Sequence, residues 1–315
     1  SNDSIVEEYT RNFLEDEFVS GEEREYELMK LLLPTISISD LNNYFLNWLR
    51  HEDRIINIKY PEKIENIISK NELLNLESKI QKSKLSQFAS LVKDEPLIEK
   101  KLPGSKIIFT KNYPSINTRE FRLENGVRVF LKPTKNKEKS FSFEASSMGG
   151  YSHANLTTLP SAKITEYLIS ESSLGDFSRV ELNNKVDPSF ADVEVWIEPF
   201  KESIMGEAIT KYTKELFELI YLNFTSVSFN EIGFENVKSL LREKIKNENL
   251  DPSKVFFKRI THAYYKNHLR RRPWNLDLVD QIELDKINQF YMDRFADSSD
   301  FVFTFVGDFS IDEMK

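Results

Sequence analysis

Apolar positions recur at helical spacing through the first fifty residues and switch to alternation further on. Ile5, Tyr9, Phe13 and Leu14 mark one helix, and Tyr26, Leu28, Met29, Leu32 and Leu33 mark a second that stops at Pro34. In "SISDLNNYFLNWL", Ser39 or Asp40 is placed to cap a third helix whose apolar side is Leu41, Tyr44, Phe45, Trp48 and Leu49. "RIINIKY" reads as a short strand ending at Pro61. Three helices and one strand cannot close a sheet layer, so this region is expected to be the tail of a domain whose strands lie upstream.

From residue 61 to about 104 the chain turns to Lys, Glu, Asn and Ser with scattered leucines, "NELLNLESKIQKSKLSQFASLVKDEPLIEKKLPG". One or two surface helices and a linker marked by Pro and Gly are predicted there, and with them a domain boundary. Beyond it, "TREFRLENGVRVFLKPT" alternates on both sides of Glu124-Asn125-Gly126, a strong hairpin signal. "KSFSFEASSMGG" follows as a third strand with Phe141, Phe143 and Ala145 on one face. "LPSAKITEYLISES" and "FSRVELNNKV" read as helices, and "FADVEVWIEPF" as a strand with Val193, Val195 and Ile197 in alternation. Two longer helices are predicted at roughly 201–224 and 229–248. The second carries Phe229, Ile232, Val237, Leu240, Leu241 and Ile245 as its stripe. A helix after Pro252, one near 284–296 and the strand "DFVFTFVGD" complete the order. Hairpins without strict strand-helix alternation imply an α+β fold: a largely antiparallel sheet with helices packed on one side, preceded by a helical tail.

Length supports two units, since 315 residues exceed one core at about 150 residues per domain. With 24 Phe and 12 Tyr the chain is rich enough to bury a large interior, so disorder is a poor reading. A net charge of -8 argues against a protein built to grip nucleic-acid backbones. With no cysteine, disulfides and thiolate-zinc sites are excluded, and only His, Asp and Glu remain as metal ligands. No apolar run of about 18 residues occurs. The opening lacks the basic and apolar regions of a signal peptide. Ser1-Asn2 resembles a cleavage scar and no initiator Met is present, so a piece of a longer protein is expected.

Chemistry-bearing motifs are few. There is no GxGxxG or GxxxxGK[ST], and Gly149-Gly150 at a strand end reads as a turn with positive φ. There is no GxSxG, HExxH or HxxEH. "RITHAYYKNHLRRRPW" gathers two of the four histidines, but His262 and His268 are six apart. On a helix that spacing turns about 120° off register, so they do not converge on one ion. His51 and His153 have no partner at helical spacing either. Arg270, Arg271 and Arg272 suit a phosphate or carboxylate, yet three charges at a helix end ordinarily form a solvated cap paired with acids such as Asp277, Asp280 and Glu283.

Read together, several segments are recognisable: "FRLENGVRVFLKPT", "FSFEASSMGGYS", "ITEYLISESSLGDFSRVELNNKV", "FENVKSLLREKIKNENLDPSKVFFKRITHAYYKNHLRRRPW" and "ELDKINQFYMDRF". In this order, over residues 118–315, they resemble one repeat of the pitrilysin/insulinase family of zinc peptidases, which carry an inverted HxxEH motif. The resemblance implies the processing-peptidase-like metallohydrolase fold and a clamshell of four similar domains around a chamber for unfolded peptides. Residues 1–60 would be the end of the second domain, 61–104 the linker between halves, and 105–315 a third, non-catalytic domain. Zinc would be held by the missing first domain, with none in this chain. The helix that bears HxxEH in an active repeat corresponds to "PSAKITEYLISES", which offers Lys163, Thr165 and Glu166 and no histidine. The helix that would give the third ligand carries Glu231 and Glu235. Asn267-His268-Leu269 with Pro273 corresponds to a family loop whose His is not a ligand.

The resemblance thus implies part of a zinc-dependent metalloendopeptidase that is inactive alone. Its partners would be unfolded peptides or small proteins and the other domains of the same chain, with no nucleic acid and no membrane span. A periplasmic or exported location is expected, with a cytoplasmic one as the alternative. Peptides in the family add to a sheet edge in the catalytic half. By analogy the strand with Val193, Val195 and Ile197 is the corresponding edge, and Arg270 and Arg271 are the further substrate-contact candidates. The rival reading is a catalytically inactive homologue serving as a structural or partner subunit.

Overall fold

The computed structural model describes residues 2–48, 55–60, 67–84 and 95–315. Contacts divide the chain into two units, Ser1–Ser86 and Gln87–Lys315. The first holds helices α1 (Asn2–Glu15), α2 (Glu22–Leu32), α3 (Ile38–Trp48) and α4 (Lys70–Lys82). The cap of α3 is Ser37 and not Ser39 or Asp40: its hydroxyl accepts from the Asp40 N–H, and the Asp40 carboxylate accepts from the Ser37 N–H at 2.9 Å. Asp40 is thus the third residue of a capping box. Ser69 and Glu72 form the same device at α4. Residues 55–60 carry no strand, because a strand exists only where a neighbour pairs with it. His51, Leu49 and Arg54 lie outside the described residues.

The second unit is built on a seven-stranded sheet. Its strands are β1 (Ile107–Tyr113), β2 (Thr118–Leu123), β3 (Arg128–Pro133), β4 (Ser140–Met148), β6 (Ala191–Ile197), β7 (Lys201–Ile209) and β9 (Val302–Gly307). Their order is β1-β2-β3-β9-β4-β7-β6, and only the β3–β9 pairing is parallel. β5 (Ser173–Leu174) and β8 (Val227–Ser228) pair separately. The β2–β3 hairpin turns where Asn125-Gly126 predicts it, with Gly126 at φ 95 and its N–H donating to Leu123 O at 3.0 Å.

Two strands depart from the sequence reading. Residues 201–209 form β7, not the start of a helix; α7 begins only at Thr213 and runs to Thr225. "KESIMGEAI" has weak strand character of its own, and it is held extended by pairing on both sides, with β4 and β6. β1 escapes prediction because Ile107, Ile108 and Phe109 are apolar without alternation and all exposed at a sheet edge.

One face of the sheet carries the core. Across it the register lines up Val195, Ile204, Ala145 and Phe303, and beside them Val193, Gly206, Phe143, Phe305 and Leu131. Phe305 stacks on Phe143 at 5.6 Å and on Phe217 of α7 at 5.4 Å, which fastens helix to sheet. Gly206 is required there, since a Cβ would stand 2.0 Å from Asp192 O. The remaining helices are α5 (Leu159–Ile169), α6 (Arg179–Lys185), α8 (Glu231–Leu250), α9 (Pro252–Tyr264), α10 (Leu276–Asp280) and α11 (Leu284–Phe295). α5 is buried along most of its length and packs against α11 and β6. On α8 the buried residues are Gly233, Phe234, Leu241 and Ile245, whereas Ile232 and Leu240 of the predicted stripe face solvent. α9 buries no residue and leaves Phe256, Phe257, Ile260 and Tyr264 exposed.

Candidate functional site

Three sequence-distant segments meet in the second unit, joined through Arg270. The first is the glycine turn after β4. Gly150, at φ 56, has its would-be Cβ 2.0 Å from Glu198 O, so only glycine fits. The N–H groups of Gly149, Tyr151 and Ser152 donate to Phe200, Glu198 and Pro199 carbonyls of the β6–β7 turn at 2.7, 3.0 and 2.8 Å. The Gly150 N–H donates to the Glu202 carboxylate, which is fully buried and also accepts from Arg294 of α11. One buried carboxylate therefore ties together β7, this turn and α11.

The second segment is the turn that ends α9. Lys266 and Asn267 both take positive φ, 48 and 56, and reverse the chain. His262 pairs through Nδ1 with the Asn267 side chain, and His268 Nδ1 accepts from the Arg270 N–H at 3.3 Å. Both rings are thus occupied locally. Arg270 does not form a solvated cap. Its guanidinium donates to Tyr151 O at 3.3 Å and Ala154 O at 2.6 Å, crossing to the glycine turn. Two of the acids expected beside the arginines pair elsewhere, Asp280 with Arg242 at 2.9 Å and Glu283 with Lys286 at 2.5 Å.

The third is α5 itself. Lys163 Nζ donates to Arg270 O at 2.9 Å and lies 5.6 Å from the Tyr151 ring centroid. Burial pushes the Lys163 ammonium below its ordinary range, and Arg271 and Arg270 push it the same way. Burial also raises the Tyr151 phenol, which Arg271 opposes and Glu166 and Glu198 reinforce, so it stays neutral. Thr165 is buried and bonds Ser161 O at 2.9 Å. Glu166 accepts the Ile197 N–H at 2.9 Å. Glu231 and Glu235 lie exposed on α8. Among the described residues no three His, Asp or Glu side chains come together as a metal site.

Together with the body of α9 and the end of α8 these segments wall a pocket of about 350 Å³. Lys163, Lys254, Lys258, Arg270, Arg271 and Arg272 line it with a single carboxylate, Glu248, which pairs with Lys258 at 3.1 Å. Arg271 lies over the Tyr265 ring at 5.2 Å. The pocket gathers strong positive charge on a chain that is acidic as a whole. Residue order alone does not disclose it, because Lys163 stands more than a hundred positions from the arginines.

The strand with Val193, Val195 and Ile197 is elsewhere, at the β6 edge of the sheet. Val195 and Ile197 are buried and Val193 packs against the core, so all three side chains point inward. The strand's side away from β7 is where Ile197 gives its N–H to Glu166.

No family model matches the chain. A protein named zinc protease PQQL-like from Arabidopsis thaliana is 24% identical over 309 residues, which is 96% of this chain and 30% of that protein. The periplasmic protease PqqL from Escherichia coli superposes with a TM-score of 0.64 at 16% identity, over 99% of this chain and 34% of its own. The ferredoxin protease FusC, solved as a mutant in complex with Arabidopsis ferredoxin, gives 0.57 at 17% identity over 99% of this chain and 35% of its own. A peptidase M16 inactive domain from Pseudomonas fluorescens gives 0.51 at 13% identity, over 63% of this chain and 48% of its own. The chain therefore spans about a third of the longer relatives.

Proposed function

From the resemblance to the pitrilysin/insulinase zinc peptidases, which these relatives bear out, we propose that the chain is the non-catalytic part of a longer zinc-dependent metalloendopeptidase and walls its peptide chamber. Residues 1–60 are the end of a second domain, 61–104 the linker between halves and 105–315 a third domain. The zinc belongs to a domain outside this chain. The observation that carries this is α5, the counterpart of the helix that would bear the metal motif. On it Lys163 is committed to Arg270 O and Glu166 to the Ile197 N–H, and with no histidine beside it a lone carboxylate does not hold zinc.

Substrates are unfolded peptides or small proteins, and the compartment is the periplasm or another exported location, as the PqqL neighbour supports. No described helix is long and apolar enough to cross a membrane. A peptide adding to the β6 edge would use the backbone there, with the Val193, Val195 and Ile197 side chains turned to the core, and would compete with Glu166 at Ile197. The test is elemental analysis and a fluorogenic unstructured peptide, applied to this chain and to the longer protein. We expect no stoichiometric zinc and no cleavage for the chain, and both for the longer protein. Stoichiometric zinc in the chain sinks the reading, and a longer protein without zinc favours the inactive-homologue alternative.

A further inference from the structure

Beside the cationic pocket lies a smaller cavity of about 90 Å³, walled mainly by Leu156, Leu159, Pro160, Leu269, Trp274 and Leu278, with Gln281 as a polar member. The two share Lys163 and Arg272 in their walls. An anion-seeking pocket and an apolar niche with common lining residues ask for one ligand that carries both features within a few bonds. The end of a peptide chain is such a group, since its last residue joins a carboxylate to a side chain on the same carbon. We propose that this site captures the C-terminal carboxylate of a peptide between Lys163, Arg271 and Arg272, with a small or medium apolar last side chain in the niche.

The charges are available for this. Among the described residues neither Lys254, Arg271 nor Arg272 has a carboxylate partner, and Lys163 is bonded only to a carbonyl. The one acid in the wall is taken up by Lys258, which also bonds Asn249 Oδ1 at 3.0 Å. Burial depresses the Lys163 ammonium, so an arriving carboxylate restores it toward its ordinary range and gains from the same desolvation. Guanidinium groups suit a carboxylate through paired N–H donors, and Arg270, locked onto Tyr151 O and Ala154 O, holds the wall in place. Tyr265 and Phe257 add apolar surface for the residues before the last one. Arg271 and Arg272 are exposed, which sets a weak affinity, on the order of 0.1–1 mM.

The proposal rests on the chamber reading only for the source of the peptide. It is tested by binding alone, so its failure is separate from that of the zinc experiment. Short labelled peptides ending in Leu are titrated into the full chain at low salt and followed by fluorescence anisotropy. The free acid is expected to bind about tenfold tighter than the C-terminal amide and than a free acid ending in Asp. The double variant R271A/R272A is expected to remove that preference while keeping the melting temperature, and K254A to weaken it about twofold to threefold. Acid and amide binding alike, or a preference that survives in the double variant, overturns the assignment. Displacement by inorganic phosphate with no discrimination of the last side chain identifies a plain anion site and overturns it equally.

Discussion

Glu202 on β7 and Arg294 on α11 form a buried ion pair that also holds the glycine turn. The carboxylate has no exposed surface, accepts from Arg294 Nε at 3.0 Å and also from the Gly150 N–H, and the Arg294 side chain is only 14% exposed. Removing one partner of such a pair leaves the other charge buried and uncompensated, at roughly 3–5 kcal/mol. The slight exposure of Arg294 puts Glu202→Ala near the lower end, about 3 kcal/mol, and the orphaned Gly150 N–H adds about 1 kcal/mol. Replacing both residues, as Glu202→Leu with Arg294→Met, removes the desolvation cost together with the attraction and should cost only about 1–2 kcal/mol, most of it the orphaned N–H. Urea unfolding of the full chain measures this. At a slope of roughly 3 kcal/mol/M, the single change lowers the midpoint by about 1 M or slightly more. A single variant within about 1 kcal/mol of the parent refutes the reasoning, and so does a double variant that costs the sum of the singles.

Three further outcomes follow from the same geometry. Arg270→Ala should lower stability by about 2 kcal/mol, through the loss of two charge-assisted bonds, while Arg271→Ala stays within about 0.5 kcal/mol in a thermal scan. Gly150→Ala should cost more than about 3 kcal/mol because the new Cβ meets Glu198 O at 2.0 Å, whereas Gly175→Ala, whose nearest neighbour is the end of Leu222 at 3.2 Å, should cost about 1 kcal/mol. Burial would raise the Glu120 carboxyl, but bonds from the Tyr113 hydroxyl at 2.8 Å and from Arg122 and Arg128 outweigh it and hold it below its ordinary range. Its contribution is therefore complete above the unfolded value of about 4.3 and is lost as pH falls through the lower folded value. Glu120→Gln should flatten the fall in melting temperature below about pH 4, and an unchanged acid limb refutes the assignment.

Local signals made much of the fold legible. Asn125-Gly126 gave the hairpin, and the alternation of Phe141, Phe143 and Ala145 gave the inward face of β4. What stayed hidden depends on partners far away in the chain. β9 inserts between β3 and β4, pairing in parallel with one and antiparallel with the other, and nothing near Val302 announces either neighbour. β7 reads as polar and helix-permissive until β4 and β6 hold it extended. The arginine run misleads for the same reason. Asp280 and Glu283 are its neighbours in sequence, yet Arg270 bonds carbonyls 119 and 116 positions upstream.

Those bonds form one mechanical chain. Buried Glu202 fixes the Gly150 turn, the turn's carbonyls fix Arg270, and the Arg270 carbonyl fixes Lys163 on α5. The innermost link has no solvent access and the outermost lines a solvated pocket. Interactions that share members couple, so loosening the inner link should be felt at the outer one. Glu202→Gln keeps the shape and removes the charge, and in that variant the free-acid preference of the pocket should fall by about threefold with Arg271 and Arg272 untouched. If peptide affinity is instead unchanged while stability drops, the pocket is held by α5 alone and the chain of contacts carries no function.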